Sequence, residues 1–105
     1  MTIIDQKIEA LNKLGELFHD VSSQKENSKY NKWTIIFNKK IKEANQYNQW
    51  FTRESCLLSF KNWSKELTTK KLSKWINNYD LKDYSNKTIA IILAGSIPFV
   101  CFHDF

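Results

Sequence analysis

The sequence is poor in the residues that mark several functional classes. Arg53 is the only arginine among 16 basic residues, and base readout in nucleic acids favours arginine because its planar fork pairs two acceptors at once. The lysines are scattered along the chain with acidic residues between them, a pattern typical of an ordinary solvated surface. We therefore predict no specific nucleic-acid partner, although the formal net charge is +5.

Cysteine and histidine are equally scarce. Cys56 and Cys101 lie in apolar segments with no C-x-x-C pair and no histidine at ligand spacing, whereas structural zinc needs about four ligands in close groups. Both thiols are predicted to be reduced and buried. His103 and Asp104 suggest metal-dependent phosphohydrolase chemistry, but that chemistry needs further ligands and His19 lies far upstream. No metal site is predicted.

The sequence shows neither a secretion signal nor a membrane span. The N-terminal segment lacks a basic stretch followed by an apolar one, so we expect a cytoplasmic location. The most apolar segment, residues 88–102, is shorter than the roughly 20 residues that a spanning helix needs, and it contains Gly95, Ser96 and Pro98. We predict that it does not cross a membrane.

The length and composition are those of one modest globular unit. A chain of 105 residues with 42% hydrophobic and 14% aromatic residues can bury one core, and a second independent core would be hard to fit. We expect one domain, or part of one.

Apolar residues recur at three- and four-residue steps in four segments, which predicts a mainly α fold with about four amphipathic helices. The helical segments are residues 3–21, 31–44, 53–67 and 70–79. Gly15 is expected to weaken the first helix, and Thr52 is expected to cap the third. Aromatic residues at helical spacing, Trp33 and Trp75 among them, are expected to pack in the core.

The predicted organisation has four parts: an N-terminal helix in residues 1–21, a polar loop in 22–31, a helical region in 32–87, and a different element in 88–105. In this last part, residues 88–94 form a continuous β-branched run, which is typical of a strand buried on both faces. Gly95, Ser96 and Pro98 then favour a tight turn and the start of a helix. The pattern predicts one buried-type strand followed by a strand-turn-helix start, the first βα element of a parallel sheet.

Three motifs carry a resemblance to a known family. They are Asn48-Gln49-Trp50-Phe51-Thr52-Arg53-Glu54, then Leu72, Trp75 and Tyr79, and finally Ile92-Leu93-Ala94-Gly95-Ser96-Ile97-Pro98-Phe99-Val100-Cys101-Phe102-His103-Asp104-Phe105. Residues 44–105 thereby resemble the N-terminal part of the acyl-CoA reductases related to the fatty acyl reductase of bacterial bioluminescence. That family, in the aldehyde dehydrogenase superfamily, carries N-x-W-F-T-x-E, W-x-x-x-Y and A-G-N-I-P-L-V-G-F-H-D-F. The resemblance implies a longer α/β, Rossmann-like parent whose nucleotide-binding domain begins near residue 88 and is truncated here.

The resemblance also implies a reaction, the reduction of a fatty acyl-CoA to an aldehyde with NADH or NADPH through a cysteine acyl-enzyme. The implied nucleophile lies beyond residue 105, so the fragment is expected to be inactive and to bind no cofactor. The turn implied to lie beside the nicotinamide consists of Ala94, Gly95, Ser96 and Ile97. Ser96 stands where the family has an oxyanion-binding asparagine, and it offers one donor where the amide offers two. Phe99 and Cys101 are further departures from the motif.

The partners expected under this hypothesis are the acyl-CoA substrate and the remainder of the parent chain. Self-association through residues 88–105 is also expected, because an unpaired strand exposes backbone donors and acceptors. A second hypothesis is a small basic helical interaction module. Such a module would dock a protein partner or a membrane through the apolar tail.

Overall fold

The computed structural model describes residues 2–79, 88–90 and 92. These residues contain four helices and no strand: α1 (Ile3–Ser23), α2 (Asn31–Tyr47), α3 (Arg53–Glu66) and α4 (Thr69–Ile76). The predicted mainly α fold with about four amphipathic helices is confirmed in this part of the chain. Compared with the predicted bounds, α1 and α2 extend further and α4 ends earlier.

The predicted strand over residues 88–94 is not seen in the residues that the structure describes. Residues 88–90 and 92 carry no regular secondary structure. Ile89 and Ile92 are 81% and 97% exposed. The rest of the predicted strand and the turn after it lie outside the described residues.

Short polar side chains set the helix ends. At the start of α1, Thr2 Oγ1 accepts the Asp5 N–H at 3.1 Å and Asp5 Oδ2 accepts the Thr2 N–H at 3.2 Å, which is a capping box. Hydrogen bonding of the Asp5 carboxyl to the side chain and then to the backbone of Thr2 lowers its pKa. Thr52 caps α3 as predicted, since its Oγ1 accepts the Ser55 N–H at 3.1 Å, and Thr68 caps α4 in the same way.

The core lies where α1 crosses the other three helices, and the most extensive contact of α1 is with α3. Phe18 of α1 meets Phe60 of α3 edge to face, with ring centroids 4.8 Å apart. The ring of Phe37 in α2 completes the cluster, and its centroid lies 6.3 Å from that of Phe18 and 5.6 Å from that of Phe60. Such edge-to-face pairs stabilise the fold beyond the area that they bury. The buried apolar residues are Leu17, Phe18, Val21, Ile41, Cys56, Phe60, Leu67 and Leu72.

Gly15 of α1 lies very close to Leu67, the residue that follows α3. A Cβ atom on Gly15 would lie 2.3 Å from the carbonyl oxygen of Leu67 and 2.8 Å from its Cβ. The glycine that was expected only to weaken α1 therefore lets the two helices pack in direct backbone contact.

Two aromatic residues do not occupy the core positions expected of them. Trp33 is 50% exposed and Trp75 is 49% exposed. Helical periodicity places both on apolar stripes, but the neighbouring helices cover only part of each stripe. Trp33 lies in the first turn of α2, beyond Phe37, and Trp75 lies near the end of the short α4.

Candidate functional site

The residues predicted to lie beside a nicotinamide cofactor, Ala94, Gly95, Ser96 and Ile97, all lie outside the described residues. The same is true of residues 99–105, which include Cys101. Within the described part of the chain, candidate functional groups therefore lie on the four helices and the segments that connect them.

The first motif of the resemblance forms the junction between α2 and α3. Asn48 ends α2, and its Oδ1 accepts the Trp50 N–H at 3.0 Å while its carbonyl accepts the Phe51 N–H at 2.9 Å. Phe51 packs against the core, Thr52 caps α3, and Trp50 stays 65% exposed. Asn48, Phe51 and Thr52 thus build the turn, whereas the Trp50 side chain is directed largely to solvent.

The second motif forms an aromatic pair at the end of α4. The rings of Trp75 and Tyr79 meet edge to face with centroids 5.7 Å apart. Both remain about half exposed, at 49% and 57%. This pair adds apolar surface next to the last residues of α4.

A polar cleft of about 630 Å³ is lined by α1, the loop that follows it and the end of α3. In this cleft Glu16 Oε2 accepts the Tyr30 hydroxyl at 2.6 Å and pairs with Lys29 Nζ at 3.1 Å. The hydrogen bond from Tyr30, followed by that from Lys29, lowers the pKa of Glu16. The same carboxylate raises the pKa values of Tyr30 and Lys29. The Glu16 carboxylate is therefore engaged by its own neighbours in the cleft.

A second polar contact holds the same loop against α1. The buried Ser28 hydroxyl donates to Asp20 Oδ2 and accepts the Tyr30 N–H at 3.0 Å. Within the described residues, no buried side-chain nitrogen or oxygen lacks a hydrogen-bond partner. We interpret the polar cleft as the structure that fixes the loop, since Asp20 and Glu16 of α1 both bond to side chains of that loop.

The described residues offer no clear catalytic or metal-binding group. Cys56 is buried and free, as predicted, and burial raises the pKa of its thiol, which disfavours the nucleophilic thiolate. His19 lies on the exposed side of α1. No cluster of three or more potential metal-ligating side chains occurs in the part of the chain that the structure describes.

An apolar groove of about 420 Å³ lies between α1, α3 and α4. Its apolar side chains are Ile4, Ile8, Leu11, Trp63, Leu67, Leu72, Trp75 and Ile76, and Lys7, Glu66 and Lys71 also line it. Glu66 and Lys71 pair across the α3–α4 connection at 3.2 Å. The sequence analysis missed this groove, although the apolar stripes of α1 and α4 supplied its signal.

Comparisons of the chain with protein-family models, curated proteins and solved structures found no match. Among the described residues, no helix has both the length and the apolar character needed to cross a membrane.

Proposed function

We propose that the chain is the N-terminal part of a cytoplasmic, NAD(P)H-dependent acyl-CoA reductase and is inactive without the rest of that enzyme. In this proposal, the complete enzyme reduces a fatty acyl-CoA to a fatty aldehyde through a cysteine acyl-enzyme. The turn Ala94, Gly95, Ser96 and Ile97 contacts the cofactor, and Ser96 donates to the oxyanion.

The observation that carries the proposal is the exposure of the aromatic residues within the motifs. Trp50, Trp75 and Tyr79 belong to the motifs of the resemblance, yet they are 65%, 49% and 57% exposed. A turn or a helix end does not require such side chains, and a large aromatic side chain gains several kcal/mol when it is buried. Their presence is consistent with a surface that the remainder of the parent chain covers.

The first test is to sequence the source gene past the codon for Phe105. The proposal expects an open frame that continues into further helices and strands and encodes a cysteine nucleophile. The extended chain should oxidise NADH or NADPH in the presence of a fatty acyl-CoA, and the 105-residue chain should not. Reductase activity in the 105-residue chain, or a stop codon directly after Phe105, would contradict the proposal.

Two substitutions test the assigned roles in the extended enzyme. Ser96→Ala should lower kcat by about 10²-fold if the hydroxyl donates to the oxyanion. Trp50→Ala should lower the stability of the extended enzyme while leaving the unfolding midpoint of the 105-residue chain nearly unchanged. Asn48→Ala serves as the contrast, because loss of its bond to the Trp50 N–H should destabilise both chains.

The second candidate function is a small basic helical interaction module that uses residues 88–105 to dock a protein or a membrane. The exposure of Ile89 and Ile92 favours it, because both are large apolar side chains that the described helices leave uncovered. Such a module should unfold cooperatively as a monomer or a defined oligomer. A truncated domain should instead self-associate, and deletion of residues 88–105 should reduce that association.

A further inference from the structure

We propose that the outer face of α2, the side directed away from the buried Ile41, binds an anionic lipid surface. In this arrangement the helix lies in the plane of the membrane interface and does not cross the bilayer. The inference rests on α2 alone and does not depend on the proposed reductase function, since the motifs of the resemblance begin at Asn48, after the end of this helix.

Large apolar side chains are uncovered on this outer face. Trp33, Ile36 and Tyr47 are 50%, 40% and 88% exposed, whereas Thr34 and Ile41, on another side of the helix, are buried. At 3.6 residues per turn, residues 33, 36 and 47 fall within about a sixth of the helix circumference. The three exposed side chains therefore point in nearly the same direction.

Lysines lie among these apolar side chains. Lys32, Lys39 and Lys40 are exposed and fall in the same third of the helix circumference as Trp33. None of the three forms an ion pair within the described residues, and Lys32 Nζ lies 5.7 Å from the centre of the Trp33 ring. Glu43, the only acid in α2, is half-buried on this side. Three lysines and one glutamate give the outer face a net charge of +2.

This combination of residue types favours lipid over a folded protein as the partner. Protein–protein interfaces are depleted in lysine. Interfacial helices use it, because the alkyl stem of lysine packs on apolar surface while the ammonium group reaches the headgroups. Tryptophan and tyrosine rings are favoured at the boundary between hydrocarbon and water. In addition, neither the polar cleft nor the apolar groove described above is lined by a residue of α2.

The test measures co-sedimentation of the full 105-residue chain with lipid vesicles. One set of vesicles contains phosphatidylcholine and phosphatidylglycerol in equal parts, and the other contains phosphatidylcholine alone. We expect saturable binding to the anionic vesicles that weakens as salt is added, and much weaker binding to the neutral ones.

Matched variants locate the binding surface. Trp33→Ala should weaken binding by about tenfold, because the exposed half of the indole no longer leaves water, whereas Trp75→Ala on α4 should leave binding unchanged. The two tryptophans are equally exposed, at 50% and 49%. Lys40→Glu should weaken binding at least about fivefold, and Lys74→Glu, which changes the net charge equally, should have an effect below about twofold. Circular dichroism verifies that every variant keeps its helices.

Further outcomes would overturn the inference. Failure to bind the anionic vesicles, or equal binding of the Trp33→Ala variant and the parent chain, would refute it directly. If Ile92→Ser abolished binding and Trp33→Ala did not, the lipid-binding element would be the tail at residues 88–105. A dimer detected by sedimentation velocity and lost in Trp33→Ala, without vesicle binding, would assign the outer face of α2 to a second copy of the chain.

Discussion

Replacement of Gly15 by alanine is expected to destabilise the protein, although alanine is the better helix former. In the interior of a helix, alanine is favoured over glycine by about 1 kcal/mol. At this position, however, the new methyl group would lie 2.3 Å from the Leu67 carbonyl oxygen. That oxygen belongs to the backbone, so no change of side-chain rotamer can relieve the contact.

The size of the effect follows from what must move. Relief of the contact requires α1 and α3 to separate near Leu67, and this interface is the most extensive in the bundle. Overpacking of a core typically costs 1–3 kcal/mol, and because the neighbour here is rigid backbone we place the cost of Gly15→Ala at about 3 kcal/mol. Subtraction of about 1 kcal/mol of helix propensity leaves a net loss of about 2 kcal/mol.

Urea unfolding followed by far-UV circular dichroism measures the loss in the free energy of unfolding. Thermal unfolding followed by the same signal gives a second measure, since a net change of about 2 kcal/mol should lower the thermal midpoint by about 8–15 °C in a domain of this size. Gln6→Ala is the matched control, because Gln6 is exposed on the same helix and its replacement should change the free energy by less than about 0.5 kcal/mol. If Gly15→Ala raised the stability as propensity alone predicts, the inferred close contact between α1 and α3 would be wrong.

Three further perturbations test the loop that follows α1. Ser28→Ala removes the hydroxyl that donates to the buried Asp20 carboxylate, so urea unfolding should show a loss of about 1–3 kcal/mol. Tyr30→Phe removes the donor to Glu16, so NMR titration should show the Glu16 pKa rising toward its ordinary value. Because the folded-state pKa of Glu16 is lowered, the stabilisation from this bond exists above the unfolded pKa of about 4.3. It disappears as the pH falls through the folded-state pKa. Gln24→Gly should stabilise the protein by about 0.5–1 kcal/mol, since Gln24 adopts a φ of 54° that glycine accepts without strain.

The sequence was sufficient to predict the helices because each one carries its own local signals. The apolar spacing marked the segment at residues 53–67, and Thr52 supplied a recognisable cap, so α3 was placed nearly to the residue. The end of α4 was predicted less well, since Tyr79 continues the apolar period and lies beyond Ile76, where the helix ends. Periodicity reports which residues share a face and is insensitive to the turn in which the backbone leaves the helix.

The surface features could not be predicted in the same way, because they depend on how far one helix covers another. The stripe on α2 that includes Trp33 looks like a core stripe, but the structure buries only the part of it near Ile41. Likewise, the groove is formed jointly by α1, α3 and α4, so its existence depends on how these helices pack and not on the sequence of any one of them. Gly15 and Leu67 are far apart in sequence, so their contact cannot be predicted from the local sequence pattern around either residue.

The residues of the first motif, 48–54, differ in how strongly they support the reductase hypothesis. Asn48 stabilises the turn and Thr52 caps α3, and many unrelated helical junctions require residues in these two roles. They therefore contribute little to the distinction between an acyl-CoA reductase and any other helical protein. Trp50 is different, because its side chain is 65% exposed and does not stabilise the turn. Exposure of this apolar surface to water is energetically unfavourable. The comparison of Trp50→Ala in the short and extended chains is therefore a more discriminating test than any measurement on Asn48 or Thr52 alone.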